Sequence, residues 1–175
     1  DDLDRNRPGI EMIAFTRPGG LYILEPRNDV GASFDCRFLQ NLPGRVRDAI
    51  VLQTKNHDLL GVATVSSAGD VGLLRFEEGK PEWATLFQTQ MGLGRIAAKP
   101  QTGVDPLVLY VTCDDGRILR LERRKDGSFA PEVIYAGPQG PRGIVGGRFH
   151  EDADVESIAI FGYSNKVQLL TRLNN

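Results

Sequence analysis

Apolar and polar residues alternate along this chain in short stretches, each bounded by glycine or proline. No segment keeps apolar residues at helical spacing for three turns. Alternation at a period of two, broken by turn residues, predicts many short β-strands and no long helix. The 20 glycines and 10 prolines are spread over the whole length, as many tight turns require.

The stretches repeat. Gly19, Gly69, Gly116 and Asn165 align as turn residues at steps of 50, 47 and 49. Glycine and asparagine best tolerate a left-handed backbone, so each position predicts a hairpin turn with positive φ. Upstream of each turn the same frame carries Met12, Val62, Leu109 and Ile158; downstream it carries Leu21, Val71, Ile118 and Val167. A second anchor agrees: Arg45, Arg95 and Arg142 recur at steps of 50 and 47, each ahead of a run of small apolar residues.

A repeat of about 50 residues holding four strands is a β-propeller blade, whereas solenoid repeats of that length are usually helical. Inner strands are predicted at 46–52, 96–98 and 144–147, and second strands at 10–16, 60–65, 107–112 and 157–161. Third strands fall at 21–24, 71–76, 117–122 and 167–171, and outer strands at 33–39, 82–88 and 132–136. The predicted fold is therefore all-β, about three and a half four-stranded antiparallel blades. Their bounds are about 1–43, 44–93, 94–140 and 141–175. Closed propellers carry four to eight blades, so an incomplete ring is expected whose open edges another polypeptide covers. That polypeptide can be the rest of the same protein, a second copy or a different subunit.

The opening segment Asp2-Leu3-Asp4-Arg5-Asn6-Arg7-Pro8-Gly9-Ile10-Glu11 resembles the FG-GAP/VCBS repeat of integrin-α-like propellers, which sets an Asp-x-Asp-x-Asn/Asp loop before a proline, an acid and an apolar strand. Its Arg-Pro-Gly-Ile-Glu ending is also similar to loops of rhamnogalacturonan-lyase propellers. The segment around Asp152, Asp154 and Glu156 looks like a degraded copy, for which a solvated turn is the expectation. The resemblance implies a Ca²⁺ loop formed by Asp2, Asp4, Asn6 and Glu11, oxygen donors of the kind that calcium takes six to eight of. Arg7 replaces the usual turn glycine and Glu11 falls one residue late, so a plain Asx turn stands beside the calcium reading. The resemblance also implies an extracellular or periplasmic protein.

Composition adds exclusions. At 41% hydrophobic and 25% charged, with a net charge of −2, the chain has neither a basic nucleic-acid surface nor an acidic disordered tail. The basic run Arg117, Arg120, Arg123, Arg124 and Lys125 has no interleaved aromatics and reads as a solvated hairpin. No apolar run is long enough to span a bilayer. Cys36 and Cys113 lie in apolar strand-like segments of different repeats, which predicts two buried free thiols.

Two readings stand for Arg45, Arg95 and Arg142. They can line the channel mouth and grip carboxylates or acidic sugars. Alternatively, each bonds backbone carbonyls of a neighbouring blade, a folding role that would recur in every repeat. No nucleophile elbow, phosphate loop, zinc-protease motif or paired-cysteine motif is present. The expected function is a non-catalytic binding or assembly platform in a larger exported protein or complex. The alternative is part of a propeller polysaccharide lyase or hydrolase whose active residues lie outside this chain.

Overall fold

The computed structural model describes residues 12–27, 33–53, 59–77, 80–99, 107–137, 141–147, 149, 156–162 and 166–172. They contain fourteen β-strands and no helix. The strands form four antiparallel sheets, each running in chain order from strand to neighbouring strand. The first holds β1 (Met12–Phe15), β2 (Gly20–Pro26) and β3 (Phe34–Asn41). The second holds β4 (Val46–Gln53), β5 (Leu59–Ser66), β6 (Asp70–Glu77) and β7 (Lys80–Gln88). The third holds β8 (Leu93–Ala98), β9 (Val108–Cys113), β10 (Arg117–Arg123) and β11 (Phe129–Ala136). The fourth holds β12 (Pro141–Gly147), β13 (Glu156–Gly162) and β14 (Val167–Arg172).

The turns use the chemistry that the sequence placed there. Gly19, Gly69 and Gly116 have φ of 102°, 92° and 91° in the hairpins β1–β2, β5–β6 and β9–β10. Gly69 shows why glycine is needed twice over: a Cβ there would lie 2.1 Å from the Thr89 carbonyl oxygen. Asn165, the fourth turn residue, lies outside the described residues.

Alternation along each strand gives every sheet two apolar faces, and consecutive sheets stack through them. Leu21 of the first sheet packs with Val62 and Leu74 of the second. Ala63, Val65, Val71 and Leu73 from the other side of the second sheet pack with Leu109, Val111, Leu119 and Leu121 of the third. Tyr110 and Ile118 on the far side of the third sheet meet Ile158 and Ile160 of the fourth. Burying each Val, Leu or Ile in such layers contributes about 1.5–3 kcal/mol before entropy is counted.

The first strand β8 adjoins both β4 and β12, the first strands of the sheets on either side. Small residues permit this approach: a Cβ on Gly146 of β12 would stand 2.4 Å from the Ala98 carbonyl oxygen of β8. Each of these strands also carries a break in its ladder, between Val46 and Asp48, Leu93 and Ile96, and Pro141 and Gly143. Strands β8 and β12 thus begin before the predicted 96 and 144, because pairing resumes on the near side of the bulge. A bulge re-aims side chains away from the alternating pattern.

Two expectations are overturned by packing. Cys36 is an exposed free thiol, while Cys113 is buried. Cys36 lies on the face of β3 turned away from the second sheet, so nothing among the described residues covers it. Arg120 is not in a solvated hairpin: it is buried in β10, where its side chain enters the layer between the third and fourth sheets.

Candidate functional site

The ladder breaks gather arginines. Arg47 of β4, Arg95 of β8 and Arg142 of β12 fall within the three breaks, and Arg45 immediately precedes β4. Together with Gly94, Thr112, Cys113, Asp114 and Pro141 they line one cavity of about 410 Å³. The lining holds four guanidinium groups against one carboxylate, Asp114.

The arginines do not behave alike. Arg95 donates from Nε to the Arg142 carbonyl (2.8 Å) and from Nη1 to the Arg47 carbonyl (2.9 Å). It therefore ties the first strand of its own sheet to the first strands of both neighbouring sheets. Its backbone N–H donates to the Thr112 hydroxyl (2.9 Å), and the next N–H, of Ile96, donates to the Asp48 carboxylate (3.1 Å). Arg47 pairs with Asp114 (2.5 Å) and donates to the Leu93 carbonyl (3.3 Å). Arg45 and Arg142 are exposed at the cavity rim. The structure thus brings Arg45, Arg95 and Arg142 to one place. Arg47 escaped the repeat comparison because its position two residues past Arg45 is not an arginine in the other repeats (Ala97, Ile144).

Burial pushes the Cys113 thiol up to about 11, with the Asp115 charge adding to the effect. A protonated thiol in the cavity wall is a packing group and no nucleophile near neutral pH. The chemistry the cavity offers is recognition: planar guanidinium forks match carboxylates, and the local positive charge draws them in.

A second cavity, of about 400 Å³, opens between the third and fourth sheets and is lined by Tyr110, Arg120, Glu132, Glu156, Leu170 and Arg172 among others. The Arg120 and Glu156 side chains here are 10% and 8% exposed. Arg120 grips Glu156 with two N–H donors (2.6 and 3.2 Å) and also donates to Glu122 (2.5 Å). Tyr110 donates its hydroxyl to the same Glu156 carboxylate. Arg172 closes the outer side on Glu132 (2.6 Å).

The charges in this cluster satisfy one another. Burial alone would raise the Glu156 carboxyl, but hydrogen bonds from Arg120 and Tyr110 outweigh it and hold the group below its usual range. Burial likewise opposes the Arg120 charge and is outweighed by Glu156 and Glu122, so the guanidinium is held above its ordinary value. Desolvation, then the Glu156 contact, pushes the Tyr110 phenol up. Such a cluster fixes one sheet against the next. The solvated turn expected at Glu156 is thereby corrected: its carboxylate opens β13 on the side facing Arg120.

Asp2, Asp4, Asn6 and Glu11, with Asp152 and Asp154, lie outside the described residues. Among the described residues no group of three or more His, Cys, Asp or Glu is placed to hold a metal ion, and no helix is long and apolar enough to cross a membrane. In comparisons with known proteins, no family model and no curated protein matches the chain.

Proposed function

We propose that this chain is a segment of a β-propeller that works as a binding platform, taking carboxylate-bearing ligands such as acidic sugars at its arginine-lined cavity. The observation that carries this reading is the convergence of Arg45, Arg47, Arg95 and Arg142 on one cavity with a single acid. Four meander sheets stacked face to face, with the first strand of the third adjoining those of the second and fourth, support the propeller as its architecture. The likeness of the opening loop to FG-GAP/VCBS repeats supports an exported protein and a Ca²⁺ loop at Asp2, Asp4, Asn6 and Glu11. In this reading Arg95 builds the cavity, and Arg45 and Arg142 at the rim meet the ligand.

Calorimetric titration with a galacturonate oligomer, beside a neutral glucose oligomer of equal length, tests it. Binding of the acidic oligomer alone, weakened by salt and by Arg45→Ala, is the expected result. Equal heats from the two sugars, or an Arg45→Ala variant that binds as the parent does, would dismiss the cavity as a carboxylate site.

A further inference from the structure

We propose that Asp114 is a placeholder in the arginine cavity: its carboxylate holds the Arg47 guanidinium, and a ligand carboxylate takes that place by displacing it. This role rests on the carboxylate reading of the cavity, to which it adds the residue that decides what enters.

Asp114 lies in the turn between β9 and β10 of the third sheet, and Arg47 in the ladder break of β4 in the second. Arg47 donates from Nη1 to Asp114 Oδ1 at 2.5 Å. The two side chains are 30% and 48% exposed. An ion pair so open to water adds little net stability, because each charge is well hydrated when the two part. The buried pair of Arg120 and Glu156 is the opposite case.

The neighbouring acid shows what a turn carboxylate does when it serves its own hairpin. Asp115 accepts from Arg117 at both Nε (2.7 Å) and the backbone N–H (3.2 Å), and it does not line the cavity. Asp114 reaches across to another sheet instead. Two residues before the turn residue, where Asp114 stands, the other repeats carry Arg17, Ser67 and Tyr163. Ser67 donates its backbone N–H to the Arg45 carbonyl (2.9 Å) much as Asp114 donates to the Gly92 carbonyl (2.9 Å). The turn therefore needs no acid at this place. A residue that the other repeats fold without is open to another use.

The surroundings let the carboxylate leave. Arg47 Nη1 also donates to the Leu93 carbonyl (3.3 Å), a hold that does not depend on Asp114. Gly92 lies close against the carboxylate: a Cβ there would fall 2.3 Å from Asp114 Oδ2. Exchanging one carboxylate for another keeps the guanidinium paired with a charge, so an acidic ligand recovers at Arg47 what it disrupts. A neutral ligand offers only a hydroxyl in place of that charged partner. Asp114 thus turns away neutral ligands at a smaller cost to acidic ones.

Titration of the parent, Asp114→Asn and Asp115→Asn chains with the galacturonate and glucose oligomers tests the displacement. Asp114→Asn should bind galacturonate about three- to tenfold tighter than the parent, the range that loss of a surface ion pair allows. Asp115→Asn removes the same charge one residue away and should stay within about twofold of the parent. In an Arg47→Ala chain, adding Asp114→Asn should bring no more than Asp115→Asn does. Asp114→Ser, with the residue that the second repeat carries, serves if Asp114→Asn misfolds. An Asp114→Asn chain that binds galacturonate no tighter than a parent that prefers it overturns the displacement and leaves the carboxylate reading standing. An equal gain from Asp115→Asn overturns it too, by assigning the effect to net charge. No preference for galacturonate in any of the chains overturns the carboxylate reading and the displacement with it.

Discussion

Arg120 of the third sheet holds Glu156 of the fourth with paired hydrogen bonds of 2.6 and 3.2 Å, beside the apolar contacts of Ile118 with Ile158 and Ile160. A buried ion pair is costly to form from water and costlier to break, because one partner left alone keeps the desolvation penalty without the attraction. Arg120→Ala should therefore destabilise the chain by about 3 kcal/mol in urea unfolding, while the double replacement Arg120→Met with Glu156→Leu should lie within about 1–2 kcal/mol of the parent. A single replacement as mild as the double one would mean that the pair is solvated.

The same pair sets an acid limit. The Glu156 carboxyl is held below its ordinary value of 4.5, first against burial and then by Arg120 and Tyr110. A group with a depressed folded-state pKa stabilises at pH above its unfolded value and loses that contribution as pH falls through the folded value. The urea midpoint should be level from pH 7 to about 5 and decline below the ordinary glutamate range. Glu156→Gln should lower the midpoint at pH 7 and flatten the decline; an unchanged slope would assign the acid limit to other carboxylates.

Gly69 turns β5 into β6 at a φ of 92°, with the Thr89 carbonyl oxygen where a Cβ would sit. Gly69→Ala combines left-handed strain of about 1–2 kcal/mol with that clash, so a loss of at least about 2 kcal/mol is expected. Thermal unfolding decides the point. Gly127→Ala, also at positive φ but with only the end of the Arg123 side chain near, should show the strain without the clash and cost less.

Arg95 and Arg45 share a cavity but should separate on substitution. Arg95→Ala leaves the Arg47 and Arg142 carbonyls without their donor and should cost about 1–3 kcal/mol. Arg45→Ala, at an exposed site, should stay within about 0.5 kcal/mol of the parent in stability while weakening galacturonate binding. Equal stability losses would place both arginines in the framework.

The two thiols should differ in reactivity. Iodoacetamide should label the exposed Cys36 under native conditions and reach the buried Cys113 only on unfolding. Mass spectrometry of the labelled peptides reads this directly, and equal labelling rates would show that the third sheet opens readily at β9.

What the sequence determined by itself was the local frame. Period-two alternation fixed the strands, glycines at constant spacing fixed the turns, and the repeat of both fixed four sheets of three, four, four and three strands. These are short-range matters of backbone sterics and side-chain parity, and they survive whatever surrounds them. The three repeated arginines were also legible, as residues that recur in register.

Tertiary structure alone decided what each face meets. Arg120 sits at a counterpart of the buried Leu73 and Ile23, but only the third sheet's stacking on the fourth supplies Glu156 and makes a buried guanidinium tenable. Cys36 lies in an apolar alternating segment yet is exposed, because parity says which way a side chain points and nothing about what covers it. Arg47 joined the cavity through a break in the β4 ladder, which turns a residue out of its alternating direction without leaving a mark in the alternation itself.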